Sequence, residues 1–458
     1  MATPKKLPIV LFATTISSFT TPFMGSSVNV ALPAIGRAFS MDAISLSWVA
    51  SSFLLASAIM LLPMGRLADI YGRKIFFLSG SLIFALSSLL AVLPETESLF
   101  IALRVAQGFG AAMIFSTGTA LLVSAYPAGE RGKMLGINIA AVYTGLTAGP
   151  LIGGLLTQHL GWQAIFIANA ALGAGAAGLA LRMEDEKTPA AAGEPFDLSG
   201  SFLYAAALFA LMYGFSRLPS SRGAVLIAAG GIFFIVFIRR QLQKPSPLIN
   251  IRLFLRNRVF AFSNLAALIH YSATFAVTFL MSLYLQHVKG LTPSQTGFLL
   301  VIEPLLQAVF SPLAGRLSDR HEPRIISSIG MSITVVGLAG LIFVARDTPL
   351  WTILFCLALL GTGFALFSSP NVNAVMSSVD GKFYGIASAM QATMRMVGQM
   401  LSMGIAMLVF AWIIGSRGID YENGELLITS AKIIFAILAV ICVGGILASL
   451  ARGRVHKA

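Results

Sequence analysis

Long apolar stretches alternate with short polar ones along the whole chain. A helix that spans a bilayer needs about 20 mainly apolar residues, because other open backbone structures leave polar groups unpaired in hydrocarbon. The segments that meet this requirement cover residues 9–35, 46–64, 75–93, 99–123, 134–156, 162–181, 198–215, 224–238, 259–285, 296–313, 325–344, 350–367, 384–414 and 431–450. The pattern predicts an all-α integral membrane protein with fourteen transmembrane helices, of which the seventh and eighth have the weakest signal.

The composition excludes a water-soluble fold. Of the 458 residues, 57% are hydrophobic and 11% are charged, whereas about a quarter of a soluble domain is charged. Cys356 and Cys442 both lie in apolar runs, so a disulfide framework or a metal site lacks the ligands it needs. No nucleotide-binding loop is present in the sequence. We therefore expect no cofactor and no enzymatic activity, and we expect an ion gradient to supply the energy.

The distribution of Lys and Arg predicts the orientation. With the N-terminus in the cytoplasm, about 22 of these residues are cytoplasmic and 7 are outside, with Arg104 and Arg395 left within the membrane, which accounts for all 31. This bias follows the positive-inside rule and predicts that both termini are cytoplasmic, in a bacterial inner membrane. The net charge of +13 is then an orientation signal, and nucleic acid is not an expected partner.

Two long polar connections divide the chain. Residues 182–197 and 239–258 are the longest charged segments, and they bracket the weak seventh and eighth helices. We predict an N-terminal six-helix bundle at residues 1–182, a loop with two inserted helices and a basic linker at 183–258, and a C-terminal six-helix bundle at 259–458.

A short motif occurs once in each half of the chain. The sequence Gly-Arg-Leu-x-Asp follows the second predicted helix at residues 65–69 and the tenth at residues 315–319. Glycine lets two helices approach closely, and acidic and basic side chains can hold the inward face of a transporter shut. A tight basic turn is the alternative interpretation. The candidate gating residues of this repeat are Gly65, Asp69, Gly72, Arg73 and Asp319.

These motifs resemble those of the major facilitator superfamily. Residues 65–74 resemble its motif A, and residues 104–112 resemble motif B. Residues 145–154, with Gly149 and Pro150, resemble motif C, which is typical of exporters. Further segments are similar to the fourteen-spanning drug:proton antiporters. The resemblance implies two six-helix bundles with pseudo-two-fold symmetry, an inserted helix pair, and proton-coupled export by alternating access.

One position departs from the pattern of that family. The segment ending in Val-Asn-Val-Ala-Leu-Pro usually has a membrane-embedded Asp five residues before the Asn, and here that residue is Met24. The proton or cation role that the resemblance implies for this carboxylate therefore cannot be transferred to this chain.

Few ionisable residues lie within the predicted helices, and each is costly there, by about 3 kcal/mol. Glu303 is the first choice for the protonatable group, because loss of hydration favours the neutral form of a carboxyl group. Its alternative is a static partner of Arg395 or His270. The resemblance to motif B favours a coupling role for Arg104, and an Arg satisfied by interhelical hydrogen bonds is the alternative.

His270 and the polar residues of two helices complete the candidate site. His270 titrates near physiological pH and is expected at the depth of Glu303, or else bridges helices by hydrogen bonds. Arg395, Gln107 and Gln391 are candidates for the substrate cavity.

The sequence thus favours secondary active export of a lipophilic compound in exchange for protons by a monomer in the bilayer, with no obligate protein partner. An exporter or flippase of anionic amphiphiles is the second possibility, since Met24 replaces the Asp and the predicted spans contain two buried Arg but one buried Glu. A non-transporting sensor or assembly factor is the third.

Overall fold

The computed structural model describes residues 7–127, 130–184, 191–249, 251–379, 384–415 and 424–453. These residues form α-helices and no strands. The helices are α1 (Leu7–Phe39), α2 (Ala43–Tyr71), α3 (Arg73–Leu90), α4 (Glu97–Ala125), α5 (Arg131–Leu160), α6 (Gln163–Leu181), α7 (Leu198–Arg217), α8 (Ser221–Gln243), α9 (Ile251–Arg256), α10 (Arg258–Leu283), α11 (Pro293–Leu300), α12 (Ile302–Arg320), α13 (Pro323–Ile342), α14 (Leu350–Ser377), α15 (Tyr384–Ile413) and α16 (Gly424–Ala451).

Fourteen helical segments of the described chain are long and apolar enough to cross a membrane. The short α9 is not among them, and α11 and α12 together form one segment, Pro293–Arg320. The prediction of fourteen spans is confirmed, including the weak seventh and eighth. The eighth, α8, is longer than its apolar core because it begins at Ser221 and ends at Gln243.

The two Gly-Arg-Leu-x-Asp sequences lie inside helices, not after them as predicted. α2 continues to Tyr71 and ends at Gly72, whose φ of 109° favours glycine. α12 continues to Arg320. Hydropathy marks only the part of a helix that fits the hydrocarbon, whereas the backbone hydrogen bonds continue into the polar region.

The tenth span is interrupted at Val301, between α11 and α12. Pro304 contributes to this break, because its nitrogen has no hydrogen to donate to the carbonyl group of Leu300. The interruption places Glu303 in the first turn of α12. A second irregularity, a π-helical turn at Tyr284–Val288, follows α10.

The helices pack as two bundles with an additional hairpin. α1 to α6 pack on one another, and so do α10 to α16. The bundles meet where α2 contacts α15 and where α5 contacts α11 and α12, and α7 lies against both α2 and α15. The hydroxyl group of Tyr204 on α7 donates a 3.1 Å hydrogen bond to the carbonyl oxygen of Ala58 on α2. The predicted fold class, two six-helix bundles and an inserted pair, is confirmed.

Seven of the basic residues behind the predicted orientation lie outside the described residues: Lys5, Lys6, Lys187, Lys382, Arg417, Arg454 and Lys457. The cytoplasmic placement of both termini therefore stays a prediction.

A buried carboxylate joins the ends of the inserted hairpin. Asp197 caps α7 by accepting a hydrogen bond from the backbone N–H of Gly200. It also accepts a 2.7 Å hydrogen bond from Gln241 on α8 and pairs with Lys244 at 3.2 Å. Burial alone would raise the pKa of Asp197, but the bonds from Gln241, Gly200 and Lys244 outweigh it and lower the pKa below the ordinary 3.8.

We expect Asp197→Ala to reduce the free energy of unfolding by about 2 kcal/mol at neutral pH, because a helix cap is lost and the side-chain NH2 group of Gln241 loses its acceptor. Because the folded-state pKa is lowered, this stabilisation is present above the ordinary pKa and disappears as the pH falls through the lowered value. Unfolding of the purified protein across an acid pH series measures both effects. Asp42→Ala, which removes the single cap bond to Ser45 on α2, is the matched control and should cost about 1 kcal/mol. Equal losses in the two variants would contradict the role given to Gln241 and Lys244.

Candidate functional site

Glu303 is buried at the start of α12, and its side chain contacts neutral groups only. Thr278 on α10 donates a 3.4 Å hydrogen bond to one carboxylate oxygen, and Gln307 donates a 3.4 Å bond to the other. α14 approaches closely behind it, since a Cβ atom at Gly361 would lie 2.4 Å from the carbonyl oxygen of Glu303. The broken helix thus holds a carboxyl group among three helices without a compensating positive charge.

Neither proposed static partner reaches this carboxylate. Among the described residues, no ion pair joins Glu303 to Arg395 or His270. Glu303 contacts Thr278, and His270 lies eight residues earlier on the same helix, which corresponds to about 12 Å along its axis. The expectation that His270 shares the depth of Glu303 is therefore wrong. Hydropathy locates a residue within a span, but it does not give the register between two neighbouring helices, which the contact of Glu303 with Thr278 shows.

His270 is enclosed by aromatic rings. Its imidazole ring lies 4.1 Å from the ring centroid of Phe367 and 5.2 Å from that of Phe364, both on α14. The side chain is fully buried, and neither ring nitrogen has a hydrogen-bond partner. In this arrangement His270 packs as an aromatic ring and does not bridge helices by hydrogen bonds.

Arg104 and Gln107 form one network inside the N-terminal bundle. Arg104 donates a 2.9 Å hydrogen bond to the carbonyl oxygen of Val49 on α2 and a 2.6 Å bond to Gln107. Gln107 in turn donates to the hydroxyl group of Ser88 on α3, and the guanidinium group lies over Phe53. The network connects α4 to α2 and α3 by hydrogen bonds. Arg104 therefore has the interhelical hydrogen bonds of its alternative interpretation, and Gln107 is buried among protein atoms.

Arg395 on α15 reaches the other bundle. Its guanidinium carbon lies 5.5 Å from the ring centroid of Phe115 on α4, and its Nε atom is buried without a hydrogen-bond partner. Gln391 precedes it by one helical turn and lies on the same face of α15. Both side chains are partly buried, as expected for residues near a cavity between the bundles.

The small residues of α5 allow close contacts with α1. A Cβ atom at Gly145 would lie 2.4 Å from the carbonyl oxygen of Phe19, and one at Gly149 would collide with the side chain of Ser26. The hydroxyl group of Ser27 donates a 3.0 Å hydrogen bond to the carbonyl oxygen of Gly149. Glycine is thus required where the two backbones touch.

The same stretch of α5 contacts the C-terminal bundle. A Cβ atom at Gly154 would lie 2.5 Å from the carbonyl oxygen of Pro293, and one at Gly297 on α11 would lie 2.1 Å from that of Pro150. One turn later, the backbone N–H of Ser294 donates to the side chain of Gln158. The bundles are therefore in direct contact at the end where α5 finishes and α11 begins.

The other end of this interface is exposed. The first turn of α5, including Arg131, and the last turn of α12, including Arg316, Asp319 and Arg320, are open to the surroundings. Nearer to this end, Ser311 on α12 donates a 3.2 Å hydrogen bond to the hydroxyl group of Tyr143 on α5. The close backbone contacts between α5 and the C-terminal bundle thus lie at the end where α11 begins, and the helix ends that carry both Gly-Arg-Leu-x-Asp motifs are exposed.

The two motif copies have different partners. Arg73 donates a 2.9 Å hydrogen bond to Asp69 across the turn at Gly72, within the N-terminal bundle. Asp319 accepts a 3.3 Å bond from Asn373 on α14. Gly65 faces Ser116 on α4, where an added Cβ atom would lie 3.3 Å from the Ser side chain.

The inserted hairpin also contacts the first motif. Arg66 forms an ion pair with Glu194 in the segment before α7, and Ser246 donates a 3.0 Å bond to the same carboxylate. The hydrogen bond from Arg66 is the main reason why the pKa of Glu194 is lowered. The backbone N–H of Ala191 donates to the carbonyl oxygen of Asp69.

Sequence reasoning missed three side chains. Tyr143 and Tyr271 lie in apolar helices, where an aromatic residue gives no distinct signal. Arg452 is one of the basic residues that the predicted orientation places on the cytoplasmic side; it is fully buried and donates to Asn371 on α14, at 2.9 Å, and to Ser327 on α13. Position near a terminus predicts exposure, whereas this side chain folds back between helices and ties the C-terminal bundle together.

Met24 is fully buried in α1. An apolar thioether therefore occupies the place where the resemblance implies a carboxylate, and the N-terminal bundle has no acidic side chain at this depth of α1. Glu303 of the C-terminal bundle is left as the candidate protonatable group.

Two helical bundles that touch through close backbone contacts at one end, with a carboxyl group and an Arg held inside, are typical of a multi-pass membrane transporter. The sequence model described as "Major Facilitator Superfamily" matches residues 14–403 and 263–457. The chain belongs to the Major Facilitator Superfamily, and it is a transporter and not an enzyme.

Relatives of this chain transport different compounds. It is 30% identical to the riboflavin transporter RibZ of Clostridioides difficile over 84% of each chain. It is 32% identical to the multidrug resistance protein Stp of Mycobacterium tuberculosis, over 88% of this chain and 76% of that protein. The fold is similar to the crystal structure of an auto-inhibited POT family peptide transporter, with a TM-score of 0.69, 17% identity, and coverage of 98% and 96% of the two chains.

Proposed function

We propose that this protein is a secondary active exporter that exchanges a lipophilic compound for protons by alternating access, and that Glu303 carries the proton. The observation that carries this proposal is the environment of Glu303. Its carboxyl group is buried in a membrane span, and its partners Thr278 and Gln307 are neutral. An uncompensated carboxylate in hydrocarbon is costly, and binding a proton removes that cost.

The position of Glu303 suits coupling as well as protonation. It lies next to the break between α11 and α12, and α11 carries the glycine that contacts Pro150 of the other bundle. A change of charge at Glu303 can therefore act on the helix that closes one end of the transporter. This supports a link between proton binding and the movement of the bundles.

Glycine contacts support the alternating-access part of the proposal. The bundles touch through backbone atoms at Gly154 and Gly297. A contact between backbone atoms can separate and form again with little repacking of side chains. The resistance protein among the relatives agrees with export of a lipophilic compound.

The proposal is tested with purified protein in liposomes. An imposed pH gradient should drive substrate movement, and addition of substrate should drive a proton flux that a pH-sensitive dye reports. Substrate movement without any proton flux would show that the transporter is not proton-coupled. A screen of chemically distinct amphiphiles by thermal shift provides the substrate for this assay.

A second candidate function is export or flipping of anionic amphiphiles. Arg395 favours it, because its positive charge faces the other bundle without an acidic partner among the described residues. Competition assays separate the two candidates: inhibition of transport by organic anions supports the second, and inhibition by organic cations alone contradicts it.

We further propose that the protein resides in a bacterial inner membrane as a monomer, with both termini in the cytoplasm. The positive-inside distribution supports this orientation. The exposed end of the interface between α5 and α12 would then face the cytoplasm, where a substrate for export is collected. Labelling of single cysteines placed at Gly132 and at Gln158 from each side of the membrane tests the orientation.

A further inference from the structure

Arg395 lies between the two bundles, and its Nε–H group has no hydrogen-bond partner. Its guanidinium carbon is 5.5 Å from the ring centroid of Phe115 on α4, so a charge of the C-terminal bundle faces an aromatic ring of the N-terminal bundle. Its Nε atom is buried without a partner. Among the described residues, no acidic side chain forms an ion pair with it.

This charge has no acidic counterpart within the described part of the protein. An arginine in a protein does not release its proton, so it cannot become neutral as a carboxylic acid can. The membrane carboxylate of Glu303 is engaged by Thr278 and Gln307 instead. An anion that enters the space between the bundles is therefore the natural partner of the guanidinium group, through paired N–H donors.

Aromatic side chains surround the same position. Tyr271 on α10 is partly buried, and its side chain lies near Arg395, near Tyr143 on α5 and near Ser368 on α14. The hydroxyl group of Tyr143 accepts a bond from Ser311 on α12. Six helices from both bundles thus contribute to one cluster with a fixed cation, flat apolar rings and hydroxyl groups.

We infer that Arg395, Phe115, Tyr143 and Tyr271 form an anion-binding subsite of the transport site, and that its ligand is an aromatic compound bearing a carboxylate group. The carboxylate pairs with Arg395, and the ligand ring packs on the neighbouring aromatic rings. The inference names the substrate class for the second candidate function above, export of anionic amphiphiles, and therefore rests on that candidate. It places substrate charge at Arg395 and the coupled proton at Glu303, on different helices.

Thermal shift of the purified protein with 2-naphthoate and its neutral amide, 2-naphthamide, tests the subsite. We expect naphthoate to stabilise the wild-type protein more strongly than naphthamide. Arg395→Gln should weaken naphthoate binding by about tenfold or more, since a hydrogen-bonded ion pair is lost. Arg395→Lys should retain part of the affinity, because the charge remains and the planar pair of donors does not. Phe115→Ala should weaken both ligands.

Arg217→Gln is the control for a general loss of positive charge. Arg217 is exposed at the end of α7, and it contacts Tyr213 of the same helix. Naphthoate binding should therefore be unchanged in this variant. Equal stabilisation by acid and amide, no stabilisation of the wild type, or unchanged binding in Arg395→Gln would each overturn the inference.

Glu303→Gln separates this inference from the proposed function. The variant should still bind naphthoate as the wild type does, because the carboxylate lies apart from the Arg395 cluster. Retained binding with lost proton flux supports both proposals. Proton-independent transport of an aromatic acid would refute proton coupling and leave the subsite intact.

Discussion

Proton flux driven by substrate should fall to the level of empty liposomes when Glu303 is replaced by Gln. The amide has the shape of the acid but cannot take up or release a proton, so substrate movement can no longer be tied to proton movement. The measurement is dye-reported proton flux in liposomes that contain purified protein. Counterflow of substrate, which needs no proton gradient, should continue in the same variant.

The control for this prediction is Glu425→Gln. Glu425 is an exposed residue at the start of α16 that pairs with Arg346, so its replacement removes one carboxylate without touching the bundle interior. Both variants should unfold at the temperature of the wild type or close to it. Persistent proton coupling in Glu303→Gln would show that Glu303 does not carry the coupled proton. A loss of coupling in both variants would show that the effect is not specific to this site.

Transport should also fall by about tenfold or more when Gly154 is replaced by Ala. The added Cβ atom would lie 2.5 Å from the carbonyl oxygen of Pro293, a distance that forces α5 and α11 apart. Overpacking of this kind costs about 1–3 kcal/mol, enough to reduce the population of the closed arrangement by about tenfold. Initial rates of substrate uptake into liposomes measure the loss.

Gly136→Ala is a matched control on the same helix. A Cβ atom at Gly136 meets nothing within 4 Å, and Ala is the better helix former by about 1 kcal/mol, so transport should be unchanged. A flexible cross-linker between cysteines placed at Gln158 and Ser294 should react more slowly in Gly154→Ala than in Gly136→Ala. Equal rates in the two variants would contradict the view that this contact closes the transporter.

The candidate site could be predicted only in part. Glu303 and Arg395 stand out in the sequence because ionised groups are rare within apolar spans. Arg395 faces the other bundle, and Glu303 lies within the C-terminal bundle, next to the break before α12. Their partners were not predictable: Thr278, Phe115 and Tyr271 are ordinary residues of membrane helices, and only the packing of α10, α4 and α12 brings them close. His270 is the clearest example of this limit on prediction. It was selected because ionisable residues are rare in apolar spans, but in the structure it packs among aromatic rings.

The helix ends show a similar limit. Hydropathy located every span, since the hydrocarbon thickness sets the length of an apolar segment. It could not show that α2 and α12 continue through the Gly-Arg-Leu-x-Asp motifs, because a helix at the membrane surface needs no apolar side chains. The burial of Arg452 could not be predicted either, because it depends on hydrogen bonds to polar side chains of three other helices.

By itself, the sequence determined that the chain is a fourteen-span α-helical membrane protein, because water and hydrocarbon sort residues by polarity along each segment regardless of what the other segments do. The tertiary structure alone decided which intramembrane charges have partners and which end of the two bundles is closed. Those properties depend on contacts between different helices, such as Glu303 with Thr278 and Gly154 with Pro293, and no local pattern in the chain encodes how two helices pack.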